Sequence, residues 1–315
     1  MKLFLKRTLL FVLITMFVLF LSSLLYSHLK TKYLANKNLH LKPGTHILLL
    51  GDSHAETAFN DSIILHSQNI AFHAEHYLFT YFKLKKLLEA NPTIDKVVLS
   101  FGPHNISQGA DITIFSESRN SRSFARYFML LDSEGVDDTY SPSQNWRTNY
   151  LKWKLGIPFQ LKLEAKLIYK TIFSKPVSIN DFPFNGEFYA SSKHSFKKVN
   201  ATIQAHYYKN NILLKESDLA IKYLYKIINL TKAKGVKLYL VNTPLHELYT
   251  NNIPDYFRKA YKKETNRIKN NYPEVIYLDF SELKIDDSKF GDYHHLNKMG
   301  AIKLSQRLKK YLRNE

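Results

Sequence analysis

The chain has 315 residues, 45% apolar and 23% charged, with 10 Gly, 10 Pro and no Cys. That composition excludes a disordered, collagen-like or disulfide-stapled protein, and the lack of Cys removes thiol catalysis, Cys-based zinc sites and iron–sulfur clusters. The balance of 45 Lys+Arg against 27 Asp+Glu, a net +18, favours anionic partners such as phospholipid or acidic glycan. Nucleic acid is set aside, because the charge is spread along the chain without a binding fingerprint.

The first element is a membrane helix. Thr8 to Ser27 are 20 residues without a charge, which at 1.5 Å per residue span roughly 30 Å, one hydrocarbon core. Lys2, Lys6 and Arg7 precede the run as in a signal sequence. The run is longer than a typical h-region and lacks an Ala-x-Ala cleavage site, which predicts an uncleaved anchor over 1–27 with the body exported. Residues 28–44 read as a polar stalk ending in Pro43-Gly44, so the body is expected over 45–315.

Within the body, His46–Leu50, Asn69–Phe72, Val97–Phe101, Val236–Val241 and Val275–Leu278 are apolar almost regardless of position, as expected of parallel strands covered on both faces. Tyr77, Tyr81, Leu84 and Leu88 mark a helix between the second and third strands, with Lys83, Lys85, Lys86 and Glu89 expected to face away. Ile221, Leu224 and Ile228 mark another, closed by Gly235. Ala301, Leu304, Leu308 and Tyr311 mark a last helix with Asn297 placed to cap it. This β/α alternation predicts a three-layer, flavodoxin-like parallel sheet whose ligand site lies beyond the carboxyl ends of the strands.

The stretch from about 106 to 214 breaks the rhythm and reads as an insertion. Trp146, Trp153, many Tyr and Phe, and Arg119, Arg122, Arg126 and Arg147 are expected to build a small core of their own, or else a surface for sugar rings or lipid headgroups.

Gly51-Asp52-Ser53 follows the first strand directly, so the Ser53 hydroxyl is expected at the sheet's carboxyl edge, where nearby backbone N–H groups can face a developing oxyanion. A hydroxyl nucleophile needs a base, and the base an orienting carboxylate. Asp292 and His295, three residues apart before the last helix, can reach the same crevice.

Gly51-Asp52-Ser53 after strand one, with Asp292-x-x-His295 before a terminal helix, resembles the SGNH (GDSL-type) hydrolase superfamily over the body apart from the insertion. The resemblance implies Ser53 as nucleophile, His295 as general base, Asp292 as its orienter, and no cofactor. Membrane-anchored members of similar layout add or remove O-acyl groups on cell-envelope polysaccharides, often beside an integral-membrane acyl donor. The resemblance therefore implies an acylated or acceptor glycan, membrane lipid and such an acyltransferase as partners, and a single pass through the inner membrane with the body exported. A catalytically silent scaffold holding glycan or the acyltransferase is the alternative.

Two family blocks are altered. The second lacks its Gly, so that Ala74 or Glu75 is left to offer a backbone N–H; the third reads Ser100-Phe101-Gly102-Pro103-His104-Asn105, which makes Gly102 and Asn105 the oxyanion candidates. His54 is expected to face solvent from a first helical turn, and His294 to turn towards solvent or the sheet edge. Asp52, His54, His104, His294 and His295 could be imagined as the ligands of a metallophosphoesterase, but the sequence lacks a D-x-H block followed by the GDxxD and GNHE blocks of such an enzyme. Asp279 reads as a turn carboxylate, and Pro244 and His246 as a loop terminator.

Overall fold

The computed structural model describes residues 1–34, 39–115, 123, 126–140, 161–173, 179–191, 196, 199–281 and 283–313. Its first helix, α1 (Lys2–Leu34), contains one stretch, Lys2–Leu25, long and apolar enough to cross a membrane. The side chains of that stretch are exposed all round, from Leu3 to Leu25. A helix apolar on every face needs an apolar phase around it.

The segment expected to be a stalk differs from expectation at both ends. The helix runs on to Leu34, and residues 39–42 are strapped to the body. Leu39 is buried, the Asn91 side chain donates to the Leu39 carbonyl (2.8 Å) and accepts from the Leu41 N–H (3.0 Å), and Gln68 Oε1 accepts from the Lys42 N–H (3.0 Å). Polar side chains of the body supply these contacts, which is why apolar patterning does not reveal them.

The central sheet contains β1 (Ile47–Leu50), β2 (Ser67–Asn69), β3 (Lys96–Ser100), β6 (Lys237–Asn242) and β7 (Ile276–Asp279), with a separate antiparallel pair, β4 (Tyr208–Lys209) and β5 (Ile212–Leu213). All neighbours in the central sheet are parallel, in the order β2-β1-β3-β6-β7. Leaving out the small pair, this is the 2-1-3-4-5 order of a doubly wound sheet, whose crevice opens where the order reverses beside β1 and β3. β2 lies upstream of its expected 69–72. The chain from Ile70 to Phe72 still ladders onto β1, through Ile70 N–H to Leu49 O and Phe72 N–H to Gly51 O (3.0 Å each), so the apolar run marks the end of the pairing rather than its start.

Alternate strand residues feed two opposite layers. Leu48, Leu50, Val97, Leu99, Leu238 and Leu240 pack with α3 (Tyr77–Ala90), α8 (Asp218–Ala233) and α10 (Asp255–Asn271). Ile47, Leu49, Val98, Tyr239 and Val241 pack with α2 (Ser53–Ala58) and α11 (Lys298–Arg313). This is the three-layer arrangement that apolar-everywhere strands require. In α11, Leu312 is buried where Tyr311 was expected, and Asn297 Oδ1 caps the helix by accepting from Met299 and Gly300 N–H.

Lys83 also departs from expectation. It lies wholly inside, donating to Glu75 Oε2 (2.6 Å) and the Ile70 carbonyl (2.7 Å). Glu75 further accepts from Tyr127 Oη and Thr80 Oγ1. A charged side chain is tolerated inside when its partners are buried with it.

The described residues of the expected insertion form α4 (Gln108–Phe115), α5 (Ser133–Tyr140), α6 (Leu161–Ile172) and α7 (Val199–Tyr207), with the small β4–β5 pair after them. Tyr127, Phe128, Phe182 and Phe184 join the core of α3 and α8 instead of making one of their own, and the Arg126 guanidinium lies 3.9 Å over the Phe72 ring. Trp146, Trp153, Arg119, Arg122 and Arg147 lie outside the described residues.

Candidate active site

Gly51 makes the turn out of β1. Its φ of +132° suits glycine, and a Cβ there would collide with the Ser100 side chain. The next residue, Asp52, caps α2 by accepting from the His54 N–H (3.0 Å), which leaves Ser53 as the first helical residue at the carboxyl edge of the sheet. As a first-turn residue, Ser53 has an N–H with no intrahelical acceptor.

The loop before α11 supplies the partners. Asp292 Oδ1 accepts from the backbone N–H groups of His294 and His295 (2.9 Å each), so the carboxylate folds back over its own loop. Its Oδ2 lies 2.9 Å from His295 Nδ1, and His295 Nε2 lies 2.8 Å from Ser53 Oγ. The three residues expected to meet, separated by 242 positions at the Ser–His contact, therefore form one hydrogen-bonded chain. Burial pushes the Asp292 carboxyl up, but hydrogen bonds and charge from His294 and His295 outweigh it and hold the group below the usual carboxylate range.

Beneath Ser53 lies a second carboxylate–imidazole cluster, built on Asp52, His54 and His104, three of the five residues weighed above as metal ligands. Asp52 is buried and accepts from His104 Nε2 (2.7 Å), Asn105 Nδ2 (2.8 Å) and Ser100 Oγ (3.3 Å) besides the His54 N–H. Burial pushes its carboxyl pKa up, but the nearby His54 and His104 imidazoles prevail and hold it well below the ordinary carboxylate value. His54 stacks on His104 with ring centroids 4.0 Å apart, and His104 stacks on His206 of α7 at 5.2 Å. His54 is therefore buried, not solvent-facing. Taken from water and set beside other imidazoles, it is pushed well below the ordinary histidine value and is neutral at pH 7.

His294 is not turned away either. Its ring lies 3.8 Å from that of His295, and its Nδ1 is 3.1 Å from Asp292 Oδ1. Burial and the adjoining His295 lower it too.

The oxyanion candidates are largely engaged with each other. The Gly102 N–H donates to Asn105 Oδ1 (2.8 Å), which takes it out of reach of a ligand. Asn105 spends one Nδ2 hydrogen on Asp52 and keeps the second. Of the two replacements for the missing Gly, Glu75 gives its N–H to the Phe72 carbonyl (3.0 Å), and its side chain is committed to Lys83. Ala74 is exposed and left-handed, at φ +54°, the conformation that a Gly would adopt freely. Its N–H makes no hydrogen bond among the described residues. Ser53, Ala74 and Asn105 line one cleft of about 400 Å³, together with His104 and His206.

The remaining strand-end residues are structural. Asp279 accepts from Asn242 Nδ2 and the Ser281 N–H in the turn after β7. His246 caps the short α9 (Glu247–Thr250) and reaches Asp287 with its other nitrogen (3.1 Å).

Among known proteins, a family model that carries no description matches residues 197–315. No curated protein matches the chain. A solved structure from Streptococcus pneumonia, described provisionally as a platelet activating factor, is 14% identical, covers 95% of this chain and 99% of its own, and superposes with a TM-score of 0.44. At that similarity the match carries no conclusion about activity, which rests on the geometry of the site.

Proposed function

We propose that the protein is a membrane-anchored serine esterase or O-acyltransferase acting on an acylated envelope glycan. The observation that carries this reading is the Ser53–His295–Asp292 chain at 2.8 and 2.9 Å, open to a cleft. Ser53 Oγ attacks the acyl carbonyl as its proton passes to His295 Nε2. Asp292 holds the imidazole with Nε2 towards the serine and stabilises the imidazolium. The carbonyl oxygen, now negative, is received by the Ser53 and Ala74 N–H groups with the second Asn105 Nδ2 hydrogen. His295 returns the proton to the departing alcohol oxygen and leaves an acyl-serine. Attack by water on that ester completes hydrolysis; attack by a sugar hydroxyl completes transfer, and in both His295 takes the attacking group's proton and hands it to Ser53 Oγ.

The anchor supports placing this chemistry at the inner membrane, with the body on the exported side. Membrane lipid and an integral-membrane acyltransferase are then the natural neighbours of α1, the latter as acyl donor if the reaction runs as transfer. The +18 net charge suits an anionic envelope surface.

A fluorophosphonate probe should label full-length, detergent-solubilised protein at Ser53, and Ser53→Ala should lose the label. Equal labelling of Ser53→Ala would remove Ser53 from the mechanism. A wild type that stays unlabelled would leave the fold as a scaffold for glycan or acyltransferase.

A further inference from the structure

Beside the serine the chain assembles more imidazole than an acyl transfer uses. His54, His294 and His295 each bring a ligand-type atom within 4.8 Å of the other two. The ring of His54 lies 5.2 Å from that of His295 and 5.4 Å from that of His294. His54 Nε2 is buried with no hydrogen-bond partner among the described residues, a costly state for a ring that is 3% exposed. Its Nδ1 lies at the limit of contact, 3.5 Å from Thr243 Oγ1.

We propose that His54, His294 and His295 form a site for a divalent transition metal, Zn²⁺ being the best fit, and that its occupation switches the serine chemistry off. Three imidazole nitrogens suit Zn²⁺, whereas Mg²⁺ and Ca²⁺ demand oxygen. His295 is also oriented as a ligand: its Nδ1 faces the Asp292 carboxylate, the partner that fixes tautomer and aim in metal-binding histidines. A metal on His295 Nε2 takes the lone pair that receives the Ser53 proton. Base and ligand are the same atom, so binding and catalysis exclude one another.

A second trio, Asp52, His54 and His104, is equally close together, but the Asp52 oxygens are already filled by four donors. A metal there would have to strip them away, so the three histidines are the better site.

The inhibitory half rests on the proposed serine mechanism, whereas the site itself does not, and the experiment separates them. Full-length protein in detergent, free of any histidine tag and stripped with EDTA, is titrated with Zn²⁺ against a chromogenic chelator, with Mg²⁺ as control. Hydrolysis of p-nitrophenyl acetate is followed in parallel. One Zn²⁺ per chain is expected, with no response to Mg²⁺, and hydrolysis falls in step with occupancy. His54→Ala and His294→Ala, each checked for folding by circular dichroism, should bind at least about 100-fold more weakly. Asp292→Asn should bind about 10–100-fold more weakly, as for loss of a partner that orients a ligand. Ser53→Ala lacks esterase activity but should bind as the wild type does, so the site is tested even if the serine reading fails. Wild-type stoichiometry well below one, or unchanged binding in both histidine variants, would overturn the site. Full occupancy with undiminished hydrolysis would overturn the switch.

Discussion

Lys83 and Glu75 form an ion pair with neither side chain exposed, at 2.6 Å, directly behind the Ala74 turn that faces the cleft. Removing one partner strands the other charge, which typically costs about 3–5 kcal/mol. Lys83→Met and Glu75→Gln should therefore each lower stability by about that amount, or roughly 6–20 °C in Tm at about 2–4 °C per kcal/mol. The double variant strands no charge. It leaves the Ile70 carbonyl, which Lys83 serves, without its donor, and should lose only about 1–3 kcal/mol. The effects are thus strongly non-additive, and the double variant outlasts either single one. Burial already raises the Glu75 carboxyl, with Lys83 as the main opposing charge. Without Lys83, the folded state keeps Glu75 protonated where the unfolded chain has released its proton. The stability of Lys83→Met should therefore fall as pH rises from about 5 towards 8, by up to about 1.4 kcal/mol per pH unit until the folded carboxyl ionises. Urea unfolding followed by far-ultraviolet circular dichroism measures all three variants. Additive losses, or a Lys83→Met protein within about 1 kcal/mol of wild type, would show that this pair is not the coupled charge that its geometry describes.

Two further outcomes follow from the histidines. His295→Ala should cost esterase activity about three orders of magnitude or more, while His294→Ala stays within about tenfold of wild type, because only His295 touches Ser53; steady-state rates on a small acyl ester with the opposite ranking would reassign the base. Buried His54 stays neutral in the fold but protonates near pH 6.5 once unfolded, so its contribution to stability is lost as pH falls below about 6.5. His54→Phe should accordingly lose less stability than wild type between pH 7 and pH 5, by up to about 1.4 kcal/mol per pH unit, and parallel stability curves for the two proteins would contradict a neutral buried ring.

What could be read from the sequence divides by physical cause. The sheet was legible because parallel strands buried on both faces need apolar residues at nearly every position, and five such runs stand out. Ser53, Asp292 and His295 were legible because each follows a strand whose end opens on the same crevice, so that topology closes a gap of 242 residues without any knowledge of side-chain contacts. Lys83 and His54 were misread for the opposite reason. Hydrophobic periodicity assigns a polar residue to the surface unless its buried partner is known. Glu75 is eight residues from Lys83 but beyond the helix start, while His104, His294 and His295 lie on two other strand-end loops.

His206 sharpens the point. It reaches the cluster only because α7, inside a stretch without strand–helix rhythm, lays it against His104, and Tyr249 of α9 then holds its Nδ1 at 2.6 Å. No local pattern marks such a residue, since an imidazole is as common on a helix surface as in a cluster. The polar residues nearest the serine are thus positioned by loops after β1 and β3, by the loop before α11 and by α7, whereas the apolar core depends on strands and helices alone. Substitutions in the insertion should accordingly reach the site through His206 and His104 before they disturb the sheet, because their contacts to the cleft are polar and directional while those to the core are spread over many residues.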